Sequence, residues 1–252
     1  MKKTHLRILL IGYGKMGRTI ETLAKERGHE VVGAISDRQM DLSHICKAYQ
    51  PNIAFEFTSP SSAPGNLKLL LEAGIPIVCG STGWLDNWKE VEALVHSAGG
   101  SLFYASNYSL GMNLMFKWAE VAGQFLNSLP EYEVDIEEIH HTEKRDIPSG
   151  TAITLAEILL AQLSRKTNWE LSPNPAKDAI GITAIREPDV PGTHTVTFTS
   201  VVDTLQMTHT AHSRNGFALG AIRAGEWLMG KKGVFSMEDF LEDQFAPLPK
   251  KA

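Results

Sequence analysis

The sequence predicts an α/β protein with a doubly wound parallel sheet and a second, α+β domain containing a mixed sheet. Three observations carry that expectation. Strand-like and helix-like segments alternate through the N-terminal part of the chain, a glycine-rich turn follows the first strand, and after Ser109 the order changes to a long helix followed by strands that pair as neighbours.

LRILLI (6–11) is a short, continuous apolar run, as a strand covered on both faces requires. MGRTIETLAKERG follows with Met16, Ile20, Leu23 and Ala24 at helical spacing, and Gly28 can end the helix. EVVGAIS and NIAFEFT read as further strands, NLKLLLEAG as a helix, PIVCG as a strand, DNWKEVEALVHSAGG as a helix and SLFYAS as a strand. Strands separated by helices in this way predict parallel pairing.

Beyond Ser109, GMNLMFKWAEVAGQFLN predicts a long helix with Met112, Met115, Phe116, Ala119, Ala122 and Phe125 as its apolar face. YEVDIEEIH is a strand with partial alternation, and 151–165 a helix. The Pro/Asn-rich stretch 166–178 reads as a loop leading to the strand GITAIRE. THTVTFTSVV and TLQMTHTAH, with little but Asp203 between them, predict an antiparallel hairpin. Its Thr195, Thr197 and Thr199, facing Thr208 and Thr210, form either a polar subunit contact or a solvated face. GFALGAIRAGEWLMG is again helical.

Gly12-Tyr13-Gly14-Lys15-Met16-Gly17 fits GxGxxG between a predicted strand and helix, the context that gives this pattern meaning. Gly12 permits the tight turn, Gly14 the approach of a pyrophosphate, and Gly17 close helix–strand packing. The parallel domain is therefore of the Rossmann type. The expected division is 1–108 as a dinucleotide-binding domain, 109–214 as the second domain, and 215–252 as a helical segment returning to the first.

Asp37, at the end of the second strand, stands where an acid accepts hydrogen bonds from a ribose and favours NAD. Arg38 beside it would instead pair with a 2′-phosphate and favour NADP. Two loops at C-terminal strand ends, Gly80-Ser81-Thr82-Gly83 and Ala105-Ser106-Asn107-Tyr108, offer small residues and hydroxyls to a nicotinamide, or serve only as turns.

Composition excludes several classes. With 43% hydrophobic and 21% charged residues, the chain of 252 residues suits a globular protein with a sizeable core. A net charge of −5 provides no footprint for nucleic acid. No apolar run is long enough to span a membrane. Cys46 and Cys79 lack CxxC spacing, so neither a disulfide framework nor a zinc ribbon is expected and a reduced, cytoplasmic location is.

EEIHHTEKRDIPSGTA (137–152) concentrates the remaining chemistry. His140 and His141 are adjacent, point to opposite faces of a strand, and lie outside any HExxH or HxH pattern, so no metal is expected. Proton transfer fits better. An imidazole at a strand end and Lys144 in the following loop can reach one cleft, with Glu138, Glu143 and Asp146 to orient or tune them. Pro148-Ser149-Gly150-Thr151 opens a predicted helix, where a serine cap and exposed amides suit a carboxylate or phosphate. Two other readings keep the glycine loop: a dinucleotide sensor without turnover, and a dehydrogenase of another small acid.

His140-His141-x-x-Lys144-x-Asp146-x-Pro148-Ser149-Gly150-Thr151 resembles the signature of the 4-hydroxy-tetrahydrodipicolinate reductase family, also called dihydrodipicolinate reductase. GYGKMG, GSTG, ASNYSLGMN and Ser213-Arg214-Asn215-Gly216 extend the likeness over nearly the whole chain. A serine stands in GSTG where threonine is frequent, and Tyr108 where phenylalanine is common. The resemblance implies reduction of a cyclic dicarboxylate imine by NADH or NADPH, with loss of water, on the diaminopimelate route to lysine. It further implies His140 as acid/base and Lys144 as proton donor. His141, Gly150 and Thr151 would bind the substrate carboxylates. The cofactor would lie on Gly12 to Gly17, Asp37 and Arg38, Gly80 to Thr82 and Ala105 to Tyr108. The mixed-sheet domain would bind substrate and assemble a homotetramer.

Overall fold

A computed structural model describes residues 4–36 and 42–244, so Asp37 and Arg38 lie outside the described residues. The chain divides into two compact units, Met1–Ser109 with Asn215–Ala252, and Leu110–Arg214.

The first unit holds a sheet of β1 (Arg7–Ile11), β2 (Glu30–Ile35), β3 (Ile53–Glu56), β4 (Ile77–Cys79), β5 (Ser101–Tyr104) and β11 (Gly233–Phe235). These six strands run in the order β11-β5-β4-β3-β1-β2, all in parallel. The order reverses between β1 and β3, and their C-terminal ends flank the crevice where such sheets take ligands. Ile8, Leu9, Leu10, Ile53, Ala54 and Phe55 are fully buried, which is why these segments read as unbroken apolar runs.

Helices α1 (Lys15–Glu26), α2 (Leu42–Tyr49), α3 (Ala63–Glu72) and α4 (Trp88–Ser97) connect successive strands. Helix α7 (Asn215–Leu228) packs on α1, β4 and β5, burying Ala218, Ala221, Ile222, Ala224 and Leu228, and α8 (Met237–Gln244) follows β11. Glu226 of α7 accepts from Arg27 at 2.8 Å and lies 2.9 Å from Nε2 of His29, fastening α7 to the end of α1. Cys46 and Cys79 are both free and buried.

The second unit holds α5 (Leu110–Leu126), β6 (Glu133–His140), α6 (Gly150–Gln162), β7 (Asn168–Glu170), β8 (Ala179–Arg186), β9 (Thr193–Thr199) and β10 (Thr204–Thr210). Its five strands run β10-β9-β6-β8-β7. The β10–β9 and β9–β6 pairs are antiparallel, whereas β6–β8 and β8–β7 are parallel, so the sheet is mixed. Helices α5 and α6 pack on each other, and their core joins Met112, Met115, Ala119, Leu155 and Leu159 to Val134, Ile136 and Phe198.

Three local expectations change. The stretch 166–178 is not all loop, because Asn168–Glu170 forms β7 on the sheet edge. Helix α6 stops at Gln162, where Leu163 turns extended and buries its side chain. Phe125 is 74% exposed, because the buried arc of α5 runs through Met115, Ala119, Gly123 and Leu126 instead. Trp118 and Val121 are exposed with Phe125. In the hairpin, Thr195 faces Thr208 with their hydroxyls 3.1 Å apart, on an exposed surface. Among the described residues, no helix is long and apolar enough to cross a membrane.

Candidate active site

In the first unit the three loop glycines meet three different demands. Gly12 has φ +95°, and a β-carbon there would lie 2.1 Å from the Phe57 carbonyl oxygen. At Gly17 a β-carbon would come within 2.3 Å of the Gly12 carbonyl oxygen, so this glycine lets helix and loop close up. Gly14 has nothing within 4 Å of that position. It caps α1 with no side-chain hydrogen bond, so the helix N-terminus faces open space. Amides there, with the positive end of the helix dipole, suit a phosphate.

Tyr13 is held by its hydroxyl against Glu21 and by Arg18, whose guanidinium lies 4.8 Å from the ring centre. Lys15 is exposed and Met16 half-buried. Gly12, Tyr13 and Gly14 share a cavity of 450 Å³ with Ile35, Ser36 and Thr58 at the ends of β1, β2 and β3. A second cavity of 320 Å³ brings Gly80, Ser81, Thr82, Ser106 and Tyr108 together with Met16, Phe57 and Thr58. Ser81 accepts from the Thr58 amide at 2.7 Å, which pins the GSTG turn to the end of β3. Tyr108 is buried and donates to the Cys79 carbonyl at 2.8 Å. Ala105 and Asn107 do not line that cavity; Asn107 accepts from the Ser109 amide at 2.9 Å.

In the second unit, alternation along β6 buries Val134, Ile136, Glu138 and His140 on one face. Sheet register then assembles a site. His194 on β9 is paired with Glu138, and Arg186 on β8 with His140. Glu138 is fully buried, and both its oxygens accept from the Ser149 amide at 3.1 Å. Arg186 donates to Oε1 of Glu138 at 3.0 Å and to the carbonyls of Asp146 at 2.7 Å and Lys144 at 3.3 Å. The guanidinium thus neutralises a carboxylate whose burial would otherwise cost several kcal/mol, roughly, while clamping the loop that carries Lys144.

Nδ1 of His140 lies 3.4 Å from Oε2 of Glu138, and the His140 and His194 rings meet edge to face at 4.9 Å. Lys144 is partly exposed and its ammonium bonds both oxygens of Asp146, at 2.8 and 2.9 Å. Ser149 caps α6 by accepting from the Ala152 amide at 3.2 Å, which places Gly150 and Thr151 in the first turn. His141 lines a separate cavity of 350 Å³ with Thr142, Glu143, the segment 188–191 and Arg214. Gly150 and Thr151 do not line it.

Glu138, His140 and His194 have atoms of metal-ligand type within 4.8 Å of one another. The carboxylate, however, is already committed to a guanidinium and an amide, so the trio is better understood as a buried polar cluster. His194 and Arg186 escape sequence reading because only strand register brings them in. Glu138 carried a readable signal, a carboxylate at an alternating position otherwise occupied by Val134 and Ile136.

Burial lowers the pKa of His140, with the cations of Lys144 and Arg186 adding to it against the opposing pull of Glu138. Burial, joined by the charges of His140, His209 and Lys144, lowers that of His194 from 6.5 to about 3. A lowered folded pKa means that the unfolded chain binds the proton more readily. Stability is therefore complete above pH 6.5 and declines as pH falls toward 3. Between pH 7.5 and 5 this residue alone contributes a loss of about 2 kcal/mol. Denaturant unfolding at both values should show that much less acid sensitivity in His194→Asn than in the parent, and equal slopes would refute the assignment.

The family model for the N-terminus of dihydrodipicolinate reductase matches residues 6–108, and that for its C-terminus matches 111–241. A 4-hydroxy-tetrahydrodipicolinate reductase of Christiangramia forsetii is 44% identical, over 95% of this chain and 99% of that one. The enzyme of the same name from Archaeoglobus fulgidus is 34% identical, over 91% and 96%. The solved dipicolinate-bound dihydrodipicolinate reductase from Paenisporosarcina sp. TG-14 shares the fold, with TM-score 0.78 and 21% identity over 92% of this chain and 98% of that chain.

Proposed function

The chain belongs to the dihydrodipicolinate reductase family, the reductase step of the diaminopimelate route to lysine, and from that membership we propose how its own residues perform the reaction. The reaction is reduction of 4-hydroxy-tetrahydrodipicolinate to tetrahydrodipicolinate, with loss of water, by NADH or NADPH. The observation that carries the reading is the division of labour among Gly12, Gly14 and Gly17, which leaves a helix N-terminus open to a pyrophosphate beside the sheet's switch point.

When bound, the nicotinamide supplies a hydride. Gly12 to Gly17 hold the pyrophosphate, Asp37 and Arg38 meet the adenosine ribose, and Gly80 to Thr82 with Ala105 to Tyr108 receive the nicotinamide end. That sharing is supported by the cavity common to Gly80, Ser81, Thr82, Ser106 and Tyr108. His141, Gly150 and Thr151 bind the substrate carboxylates. The presence of Arg214 beside His141 supports an anion site there. Lys144 gives the proton as negative charge builds on the reduced imine. Asp146 holds the Lys144 ammonium in its loop, whereas burial lowers the His140 pKa and suits that ring to orienting and hydrogen bonding.

The second unit assembles the homotetramer and the enzyme works in the cytoplasm. The exposed Trp118, Phe125, Val201 and Leu205 support the first, and the two free thiols are compatible with the second.

The test is cofactor oxidation with the condensation product of aspartate semialdehyde and pyruvate, NADH and NADPH in parallel. Turnover is expected with at least one of them. A folded protein that binds either dinucleotide yet oxidises neither would sink the reductase reading and favour a dinucleotide-binding protein without turnover.

A further inference from the structure

Glu138 is a fully buried carboxylate for which the reaction itself has no use. Its position is nonetheless the junction of the second unit's polar core. It reaches the mouth of α6 through the Ser149 amide, the loop carrying Lys144 through Arg186, and the Nδ1 side of His140 at 3.4 Å. The opposite side of the imidazole is set by an absence of atoms. A β-carbon on Gly192 would lie 3.0 Å from Nε2 of His140. His194 closes the remaining side edge to face.

We propose that Glu138 is a positioning residue for the reductase, its carboxylate holding the His140 imidazole and the Ser149–Thr151 turn in one geometry. The proposal rests on the reading that His140 and that turn act on substrate. The carboxylate charge 3.4 Å from Nδ1, although not in hydrogen-bonding geometry with it, favours electrostatically the ring form that carries its proton on Nδ1 and leaves Nε2 as the acceptor. The same carboxylate, by fixing the Ser149 amide, fixes the direction in which the first amides of α6 point. One side chain therefore sets the spacing between the orienting imidazole and the carboxylate-binding turn, a spacing for which misplacement by about 1 Å costs on the order of 100-fold in rate.

Three variants separate positioning from mere stability. Glu138→Gln keeps the volume and removes the charge, Glu138→Asp keeps the charge and shortens the reach, and Gly192→Ala leaves every charge in place while crowding Nε2. We expect Glu138→Gln to lower kcat on the order of 100-fold, with KM for the dinucleotide unchanged. The pH limb governed by His140 should move to lower pH, because the pull of Glu138 is lost while Lys144 and Arg186 still oppose charge on the ring and Asp146 still favours it. Glu138→Asp should recover part of the rate, and Gly192→Ala should lower kcat without moving the limb.

A readout without substrate keeps this test apart from that of the reaction itself. Nitrogen-edited NMR of the histidine rings should show the Nδ1-protonated form of His140 in the parent and its loss in Glu138→Gln. A folded Glu138→Gln protein with an unchanged ring form, or with unaltered kcat and pH profile, overturns the proposal. Failure of the parent to turn over would instead strike the reductase reading, leaving the ring form as the deciding measurement.

Discussion

Replacing Lys144 by alanine is expected to lower kcat/KM by about 10²- to 10⁴-fold, the usual range for loss of a proton-transfer group. The ammonium grips both oxygens of Asp146, which lies two residues further along the same loop. Burial works to raise the Asp146 pKa, but the Lys144 bond and charge together with the backbone amides of Asp146 and Gly150 outweigh it and lower it. From this loop, with a carboxylate fixing its direction, Lys144 can hold substrate charge and give a proton. His140→Ala should cost less, since a neutral ring orients rather than supplies. Lys144→Arg should fail nearly as badly as alanine, because a guanidinium keeps the charge and does not give up its proton. Steady-state kinetics on folded variants decide the matter. Equal rates in Lys144→Ala and the parent would remove Lys144 from the reaction.

Gly12→Ala should lose both fold and cofactor, whereas Gly14→Ala should lose cofactor alone. At Gly12 a methyl would collide with a carbonyl oxygen 2.1 Å away, and φ of +95° would be strained for any side chain. The structure must shift, with an expected cost of about 3 kcal/mol or more, and Tm should fall by roughly 10 °C for a protein of this size. At Gly14 the same methyl meets nothing within 4 Å. It occupies the space through which a pyrophosphate approaches, so Tm should hold while reduced-dinucleotide binding, read by fluorescence titration, weakens at least tenfold, about 1.4 kcal/mol. A Gly14→Ala protein that binds dinucleotide like the parent would mean that the phosphates do not pass there.

The fold class was legible because its signals are local. Strands β1, β3 and β4 are covered on both faces and appear as unbroken apolar runs, and the glycine loop sits where strand becomes helix. Segments β7 and β11, three residues each, are too short to show any period and owe their strand form to a neighbour's edge. Phe125 misled because a helical stripe is broad, and sequence does not say which side of it meets the sheet. At the site, the signature 140–151 stands in one stretch and was readable as chemistry. The supports Arg186 and His194 were not, because each depends on which residue a distant strand places opposite β6.

The interruption of the nucleotide-binding unit by Leu110–Arg214 has a consequence for how the protein is made. As the chain leaves the ribosome, strands β1 to β5 appear first, yet the helix that covers them is encoded beyond the inserted unit. Until Asn215–Leu228 emerges, the surfaces of β4 and β5 on which α7 packs are bare, and Arg27 and His29 await Glu226. The inserted unit is continuous in sequence and can complete its own core during that interval. The second unit to begin is thus the first that can finish, and the nascent chain carries an unfinished apolar sheet for the time needed to translate the insert.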